Sequence, residues 1–319
     1  MNKNQGDIKS ENRPKQDTRF VDRASDDIRR GLIVCQKSND VIIYGAATEL
    51  LTPDSVATIR ALPNSKYGIL LSDHRCEALK IHTKGQKALF IVLDETWDAK
   101  SINALADPTL DLKNPLRGPF KAELLTNISK DLNGFLKLMK LSRLLPGAFI
   151  AITSNKVGNW TSKNNILTVE LSAVYNYEDV KASSLTIVAE AKVPLKGAEN
   201  SKVVSFRPSN GGPEHLAIII GGGNKKTAPL IRLHSECFTG DLLGSLKCDC
   251  GDQLKGAIEK ISKEGGGIVL YLAQEGRGVG LTSKLKAYSL QDQGFDTVDA
   301  NTRLGFEVDE RYFAPAAKI

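Results

Sequence analysis

An α/β (α+β) fold in two domains, each a mixed sheet with packed helices, is the architecture this sequence predicts, and three observations carry it. Short β-rich apolar runs alternate with helix-like periodic stretches in both halves of the chain. A Gly-, Ser- and Asn-rich stretch from 196 to 224, with GGP at 211–213 and GGG at 221–223, interrupts that alternation. A length of 319 residues is enough for two hydrophobic cores.

The elements follow in order. Residues 1–20, MNKNQGDIKSENRPKQDTRF, are polar and mixed in charge, and are expected to be a disordered tail. Two β-rich runs come next, Leu32–Gln36 and Val41–Gly45. A helix then starts at Pro53, capped by Thr52. YGILLSD and ALFIVLD read as buried strands. From Asn127 to Leu145 apolar residues recur at helical spacing (Ile128, Leu132, Phe135, Leu136, Leu138, Met139) until Pro146-Gly147 end the run, and AFIAI follows as a strand. An amphipathic helix is expected from Ala173 to Lys192, stopping ahead of Pro194. KVVSF and LAIII look like the opening of a second sheet, which sets the domain boundary near Thr186: 21–186 for the first domain, 187–319 for the second. The remainder reads as a cysteine-bearing segment, the strand GGIVLYLAQ, a Gly-rich loop, a helix from Thr282 to Gln293, and two acidic loop-like stretches, DTVDAN at 296–301 and DERYF at 309–313. There is no internal repeat.

Composition narrows the function. No apolar run approaches the length of a membrane span, and the N-terminus lacks the apolar core of a secretory signal. Five cysteines, an odd number, argue against a disulfide framework and for a reduced, cytoplasmic setting. The net charge of +6 suits an anionic ligand, but the lysines are scattered and lack the interleaved aromatics of a nucleic-acid surface. Neither nucleic acid nor membrane is an expected partner.

Three of the cysteines fall in HSECFTGDLLGSLKCDCGDQL, residues 234–254. Thiolates are soft, strong ligands, so Cys237, Cys248 and Cys250 point to zinc, with the fourth tetrahedral position left for water. An extended Cys248-Asp249-Cys250 unit would put both sulfurs on one side. Spacing leaves alternatives open: His234, three residues before Cys237, could close the shell and make the site structural, or the thiols could be free and buried. In GGIVLYLAQEGRGVGL, Gly276, Gly278 and Gly280 would let backbone N–H groups approach an anion, with Arg277 adding charge; the same pattern serves as a packing turn. Lys284, Lys286 and Tyr288 would otherwise form a solvated helix face, and Asp309 and Arg311 a surface pair.

Taken together, RLHSECFTGDLLGSLKCDCGDQL, YLAQEGRGVGL and KLKAYSLQDQGFDTVDANTRLGFEVDERYF closely resemble GTP cyclohydrolase II, the zinc enzyme that opens the guanine ring of GTP at the start of riboflavin synthesis. The resemblance runs from about Val188 to Tyr312. It implies Cys237, Cys248 and Cys250 as ligands of one Zn²⁺ per subunit, and Mg²⁺ on the GTP phosphates. It further implies GTP contacts from Arg232, Leu233, His234, Ser235, Glu236, Gln253, Glu275, Gly276, Arg277 and Thr297. Asp309 matches the proton acceptor, Arg311 the nucleophile and Tyr288 a further catalytic position. Arginine is a poor nucleophile at its ordinary pKa, so a charge clamp on phosphate is the physically easier role for Arg311. The implied products are formate, pyrophosphate and 2,5-diamino-6-(5-phosphoribosylamino)pyrimidin-4(3H)-one, and the implied assembly is a homodimer.

The N-terminal half resembles 3,4-dihydroxy-2-butanone 4-phosphate synthase in DIRRGLIVCQKSNDVIIYGAATELLTPDSVATI and LLPGAFIAI. Where that family carries a run of acidic residues for Mg²⁺, this chain has QKSNDVII with the single carboxylate Asp40, too few oxygens for a hard cation. A degenerate, non-catalytic domain is expected. Ala273 replaces an arginine common in cyclohydrolases. The match also ends at DERYFAPAAKI, whereas family members continue through a stretch supplying a threonine and a lysine to GTP. The sequence therefore also admits a C-terminally short remnant that binds zinc, and nucleotide weakly, without turnover.

Overall fold

The structure is a computed structural model that describes residues 13–39, 41–115, 118–153, 160–222 and 228–319, with backbone alone for 13–17. Residues 1–12 and Asp40 thus lie outside the described residues. The chain divides into two compact units. The first comprises the described residues up to Tyr177 together with Thr282–Glu310; the second comprises Glu178–Leu281 and Arg311–Ile319. No described helix is long and apolar enough to cross a membrane.

The first unit runs α1 (Arg13–Arg29), β1 (Val34–Lys37), β2 (Ile42–Ala47), α2 (Pro53–Arg60), β3 (Lys66–Ser72), α3 (Asp73–Ala78), β4 (Ala88–Val92), α4 (Ala99–Ala106), β5 (Lys121–Glu123), α5 (Ser129–Leu141), β6 (Gly147–Thr153), α6 (Trp160–Lys163), β7 (Leu167–Glu170) and the first part of α7 (Leu171–Ser183), whose residues from Glu178 on are counted with the second unit. Its seven strands form one sheet in the order β5-β4-β3-β6-β2-β1-β7. Every pairing is antiparallel except β1 with β7. The central strands are buried on both faces. Leu70, Ala148 and Ile150 meet Val21, Ile28, Phe135 and Met139 on one side, while Ile69, Leu71 and Phe149 meet Ile59, Ile102 and Leu105 on the other. As expected, Thr52 caps α2, in a reciprocal box with Ser55. Under the second face lies Arg75, only 1% exposed, which donates from Nε to the Leu105 carbonyl (2.7 Å) and holds Asp111 with both terminal nitrogens (2.8 and 2.7 Å).

The second unit carries β8 (Thr186–Lys192), β9 (Ser201–Arg207), β10 (His215–Ile220), β11 (Leu230–Ser235), α8 (Cys250–Lys263) and β12 (Gly267–Leu272). Their sheet order is β11-β12-β10-β9-β8, with β11 and β12 parallel. Among the described residues its interior is thin. Ala198, Ile220, Ile261 and Val269 make one small cluster with Leu254 and Ile258 of α8, and Val204, Ala217, Leu270 and Leu272 make another. Two helices of the segment 282–310 follow, α9 (Leu281–Gln291) and α10 (Thr297–Arg303). In the first unit Lys286 of α9 pairs with Asp107 and Glu49, and Glu307 pairs with His74 and Lys87. The short helix α11 (Ala314–Lys318) closes the second unit, placing Ala316 and Ile319 on its sheet.

Several expectations are corrected. The tail expected over 1–20 is helical from Arg13, because Val21, Ala24 and Ile28 form an apolar stripe that the surrounding charges disguise. The helix expected from Ala173 to Lys192 ends at Ser183, and β-branched Thr186, Ile187 and Val188 open a strand paired with β9. DTVDAN is a helix rather than a loop, because the Asp296 carboxylate accepts from Val298 N (2.7 Å) and Asp299 N (2.9 Å). Residues 282–310 group with the first unit by their packing, with Leu290, Ala300, Leu304 and Phe306 buried.

Candidate metal centre

At the end of β11 the chain leaves the sheet at Cys237 and turns sharply through Phe238–Leu242, Asp241 N donating to the Cys237 carbonyl at 2.7 Å. The reversal brings Cys248 Sγ to 3.6 Å from Cys237 Sγ. The extended Cys248-Asp249-Cys250 unit expected from the sequence is absent. Asp249 (φ −100°, ψ 12°) is the N-cap of α8 and Cys250 its first residue, so a helix start rather than a strand alternation aims the third sulfur. All three sulfurs lie within 4.8 Å of one another, and His234 is not part of that group. Tetrahedral thiolates at the usual Zn–S distance sit roughly 3.8 Å apart, so the spacing suits zinc.

The surroundings fit a cation as well. Gly240 rests against the cluster: a Cβ there would lie 2.9 Å from Cys248 Sγ and 3.0 Å from Cys237 Sγ. Its N–H instead donates to Cys237 Sγ at 3.3 Å. Burial, then the Cys237 and Cys248 sulfurs, push the Cys250 thiol up to about 12. Thiols crowded in this way do not ionise together unless a positive charge balances them.

Next to the cluster lies a carboxylate that sequence reasoning missed. Asp241 accepts from Cys237 N (3.0 Å), from the Tyr271 hydroxyl (2.8 Å) and from His234 Nε2 (3.1 and 3.2 Å to its two oxygens). His234 and Tyr271 face each other across the β11–β12 pair and stack at 5.6 Å. Burial and Asp241 push the Tyr271 hydroxyl far upward, so it stays a donor. The signal was the aspartate of TGD, four residues after Cys237, which only the tight turn makes meaningful.

The other predicted site residues distribute unevenly. Arg232 donates to Gln253 Oε1 (2.7 Å), whose amide donates to Asp249 (2.7 Å); Arg232 Nε is buried with no partner among the described residues. Leu233 is exposed on the β11 edge, Ser235 accepts from Gln274 at 3.1 Å, and Glu236 N continues the ladder to the Leu272 carbonyl (2.8 Å). Glu275 is buried, and its oxygens accept from Phe238 N (2.6 Å) and Gly276 N (2.9 Å), tying the Gly-rich loop to the cysteine turn. Gly276 (φ 64°) and Arg277 (φ 58°) are both left-handed, a strained conformation for the arginine. Before this loop, His215 on β10 accepts the Ala273 N–H at Nδ1 (3.2 Å), and burial, then Lys181, push its imidazole down to about 4. Arg311 belongs to the second unit, its guanidinium 5.2 Å from the Phe313 ring centre. Tyr288, Thr297 and Asp309 belong to the first unit. A cleft of about 510 Å³ beside the cysteines is lined by Lys247, Cys248, Asp249, Asp252 and Lys255 among others.

Comparison with known proteins accords with this geometry. Residues 186–319 match the family model described as GTP cyclohydrolase II. The chain is 42% identical to a GTP cyclohydrolase-2 of Azospirillum brasilense over 305 residues, 94% of this chain and 79% of that protein. With a GTP cyclohydrolase-2 of Histophilus somni it shares 48% identity over 137 residues, 43% of this chain and 63% of that shorter relative. With a riboflavin biosynthesis protein RibBA of Salinispora tropica it shares 31% over 307 residues, 86% of this chain and 76% of that protein. Among solved structures, a two-domain 3,4-dihydroxy-2-butanone 4-phosphate synthase from A. baumannii aligns over 92% of this chain and 95% of its own, at 15% identity and a TM-score of 0.40, too low to bear on the fold. An identity of 42% spanning 94% of this chain, together with a three-cysteine cluster inside the region that the family model matches, makes this chain an enzyme of the GTP cyclohydrolase II family.

Proposed function

We propose that the chain hydrolyses GTP at a zinc ion held by Cys237, Cys248 and Cys250, releasing formate and pyrophosphate and leaving 2,5-diamino-6-(5-phosphoribosylamino)pyrimidin-4(3H)-one for riboflavin synthesis. The observation that carries it is the convergence of three sulfurs around a glycine whose missing side chain leaves room at the cluster. When bound, zinc supplies a Lewis acid that lowers the pKa of water toward neutrality.

The chain's own residues do the rest. Arg232, positioned by Gln253 and Asp249, offers charge to the anionic substrate, and its unpartnered buried Nε is a donor waiting for an acceptor. Glu275 spends its carboxylate on backbone N–H groups, so its part in GTP binding is to shape the loop that presents Gly276 and Arg277. Mg²⁺ accompanies the phosphates, Arg311 acts as a charge clamp at the phosphate, and Asp309, Tyr288 and Thr297 complete the set that the family resemblance assigns. Residues 21–186 serve as a non-catalytic domain, and the enzyme works as a cytoplasmic homodimer.

The test is incubation of the zinc-loaded, folded protein with GTP and Mg²⁺, following formate and the absorbance of the pyrimidine product. Turnover is expected, and Cys248→Ser should abolish both zinc content and turnover. Zinc-loaded protein without turnover would instead mean a remnant that binds metal and nucleotide. A Cys248→Ser protein retaining one zinc per chain would overturn the ligand assignment.

A further inference from the structure

His234 poses a chemical problem for an open zinc site. It stands three residues before Cys237, its imidazole is a good zinc ligand, and a Cys₃His shell is a closed, structural arrangement with no position for water. Something must keep the ring away from the metal. We infer that Asp241 is that device: a positioning residue that holds His234 off the metal and so keeps the centre at three thiolates with one position open.

Three observations support this. His234 is 3% exposed, and its Nε2 lies 3.1 and 3.2 Å from the two Asp241 oxygens. A carboxylate only accepts, so Nε2 carries the hydrogen and is held on Asp241, and neither ring nitrogen joins the three sulfurs within the 4.8 Å that groups them, so the hydrogen bond keeps the ring away by position. The ring plane is fixed independently by stacking on Tyr271, its cross-strand partner, whose hydroxyl is bound to the same carboxylate at 2.8 Å. Asp241 is in turn anchored by the ligand residue itself, since Cys237 N–H donates to Oδ2 at 3.0 Å. The carboxylate thus reads the two residues that compete for the shell, orienting one as a ligand and retaining the other. Replacing it with a group that cannot accept releases the imidazole beside a soft metal with a vacant position.

The inference rests on the zinc reading above, and the test separates the two. X-ray absorption at the zinc edge is measured on the wild type, Asp241→Ala, His234→Gln and the double variant Asp241→Ala/His234→Gln, with zinc loss to a chelator measured alongside. The wild type should show three sulfurs, one light scatterer and no imidazole outer shell. Asp241→Ala should gain the imidazole signature and lose zinc at least roughly tenfold more slowly, the step that one added ligand worth about 1.4 kcal/mol gives. The double variant should return to the wild-type shell, a rescue that a merely structural role for Asp241 does not predict. His234→Gln should leave the shell and the chelation rate unchanged, an arm that stands even where Asp241→Ala does not fold. An imidazole signature in the wild type, its absence from folded Asp241→Ala, or loss of a ligand in His234→Gln would overturn the inference. A wild-type protein that takes up no zinc would instead sink the underlying zinc assignment.

Discussion

Acidification should weaken the second unit through one histidine. His215 sits at the start of β10, 7% exposed, with Nδ1 accepting the Ala273 N–H. Burial, then Lys181, push its imidazole from the ordinary 6.5 down to about 4. Because the folded value lies below the unfolded one, the unfolded chain takes up the proton more readily. The stabilisation is therefore complete above pH 6.5 and is lost as the pH falls through the folded value near 4. At 1.36 kcal/mol per unit the full swing is about 3 kcal/mol, of which about 2 kcal/mol is lost by pH 5. His215→Asn is the matched perturbation, since its amide oxygen can take over the Ala273 hydrogen bond without titrating. Urea unfolding at pH 7.5 and pH 5 should show the wild type losing about 2 kcal/mol more than the variant. Carboxylates titrating in that window are common to both proteins and cancel. Proton NMR of the His215 ring supplies the direct check, with no shift above about pH 5. Equal losses in the two proteins, or a ring titration centred near 6.5, would refute the reasoning.

Gly240→Ala should place a methyl group 2.9 Å from Cys248 Sγ, an overpacking cost of about 1–3 kcal/mol that lowers zinc affinity roughly tenfold or more, measurable by chelator competition. Glu275→Gln keeps an acceptor for only one of the two backbone N–H groups now bound. It should cost about 1.5–3 kcal/mol in thermal unfolding and raise KM for GTP more than it lowers kcat. Arg75→Met should destabilise the first unit by about 3 kcal/mol, the low end for a broken buried pair, because Asp111 keeps partial access to water; calorimetry would resolve it.

Much of the scaffold was legible because local chemistry and tertiary packing agree there. Thr52-Pro53 announces its helix, and the apolar runs YGILLSD and ALFIVLD sit inside the first sheet on β3 and β4. The gathering of Cys237, Cys248 and Cys250 was legible from residue type alone, since three thiols in a reduced chain have few other uses. What failed was geometry created by turns. Cys250 opens a helix whose apolar stripe, Leu254, Ile258 and Ile261, is dispersed among lysines and glutamates. Asp241 acquires meaning only when the chain doubles back over Cys237, and no spacing rule encodes such a turn. The membership of 282–310 in the first unit was hidden for a different reason, since the buried pair of Lys286 with Asp107 bridges residues far apart in sequence.

The thinness of the second unit's interior bears on how this protein can change over generations. Among its described residues the apolar clusters are built on a few small and branched side chains, while the buried Glu275, His234 and His215 and the half-buried Asp241 hold its strands and turns by hydrogen bonds. Residues that shape the proposed chemistry are therefore also the ones holding the unit together. A substitution that altered activity there would alter cellular abundance as well, and compensating changes would be confined to the few positions packed around α8. The first unit, with a generous core on both faces of its sheet, can absorb sequence drift that the second cannot. Divergence among relatives should accordingly run at two speeds within one chain.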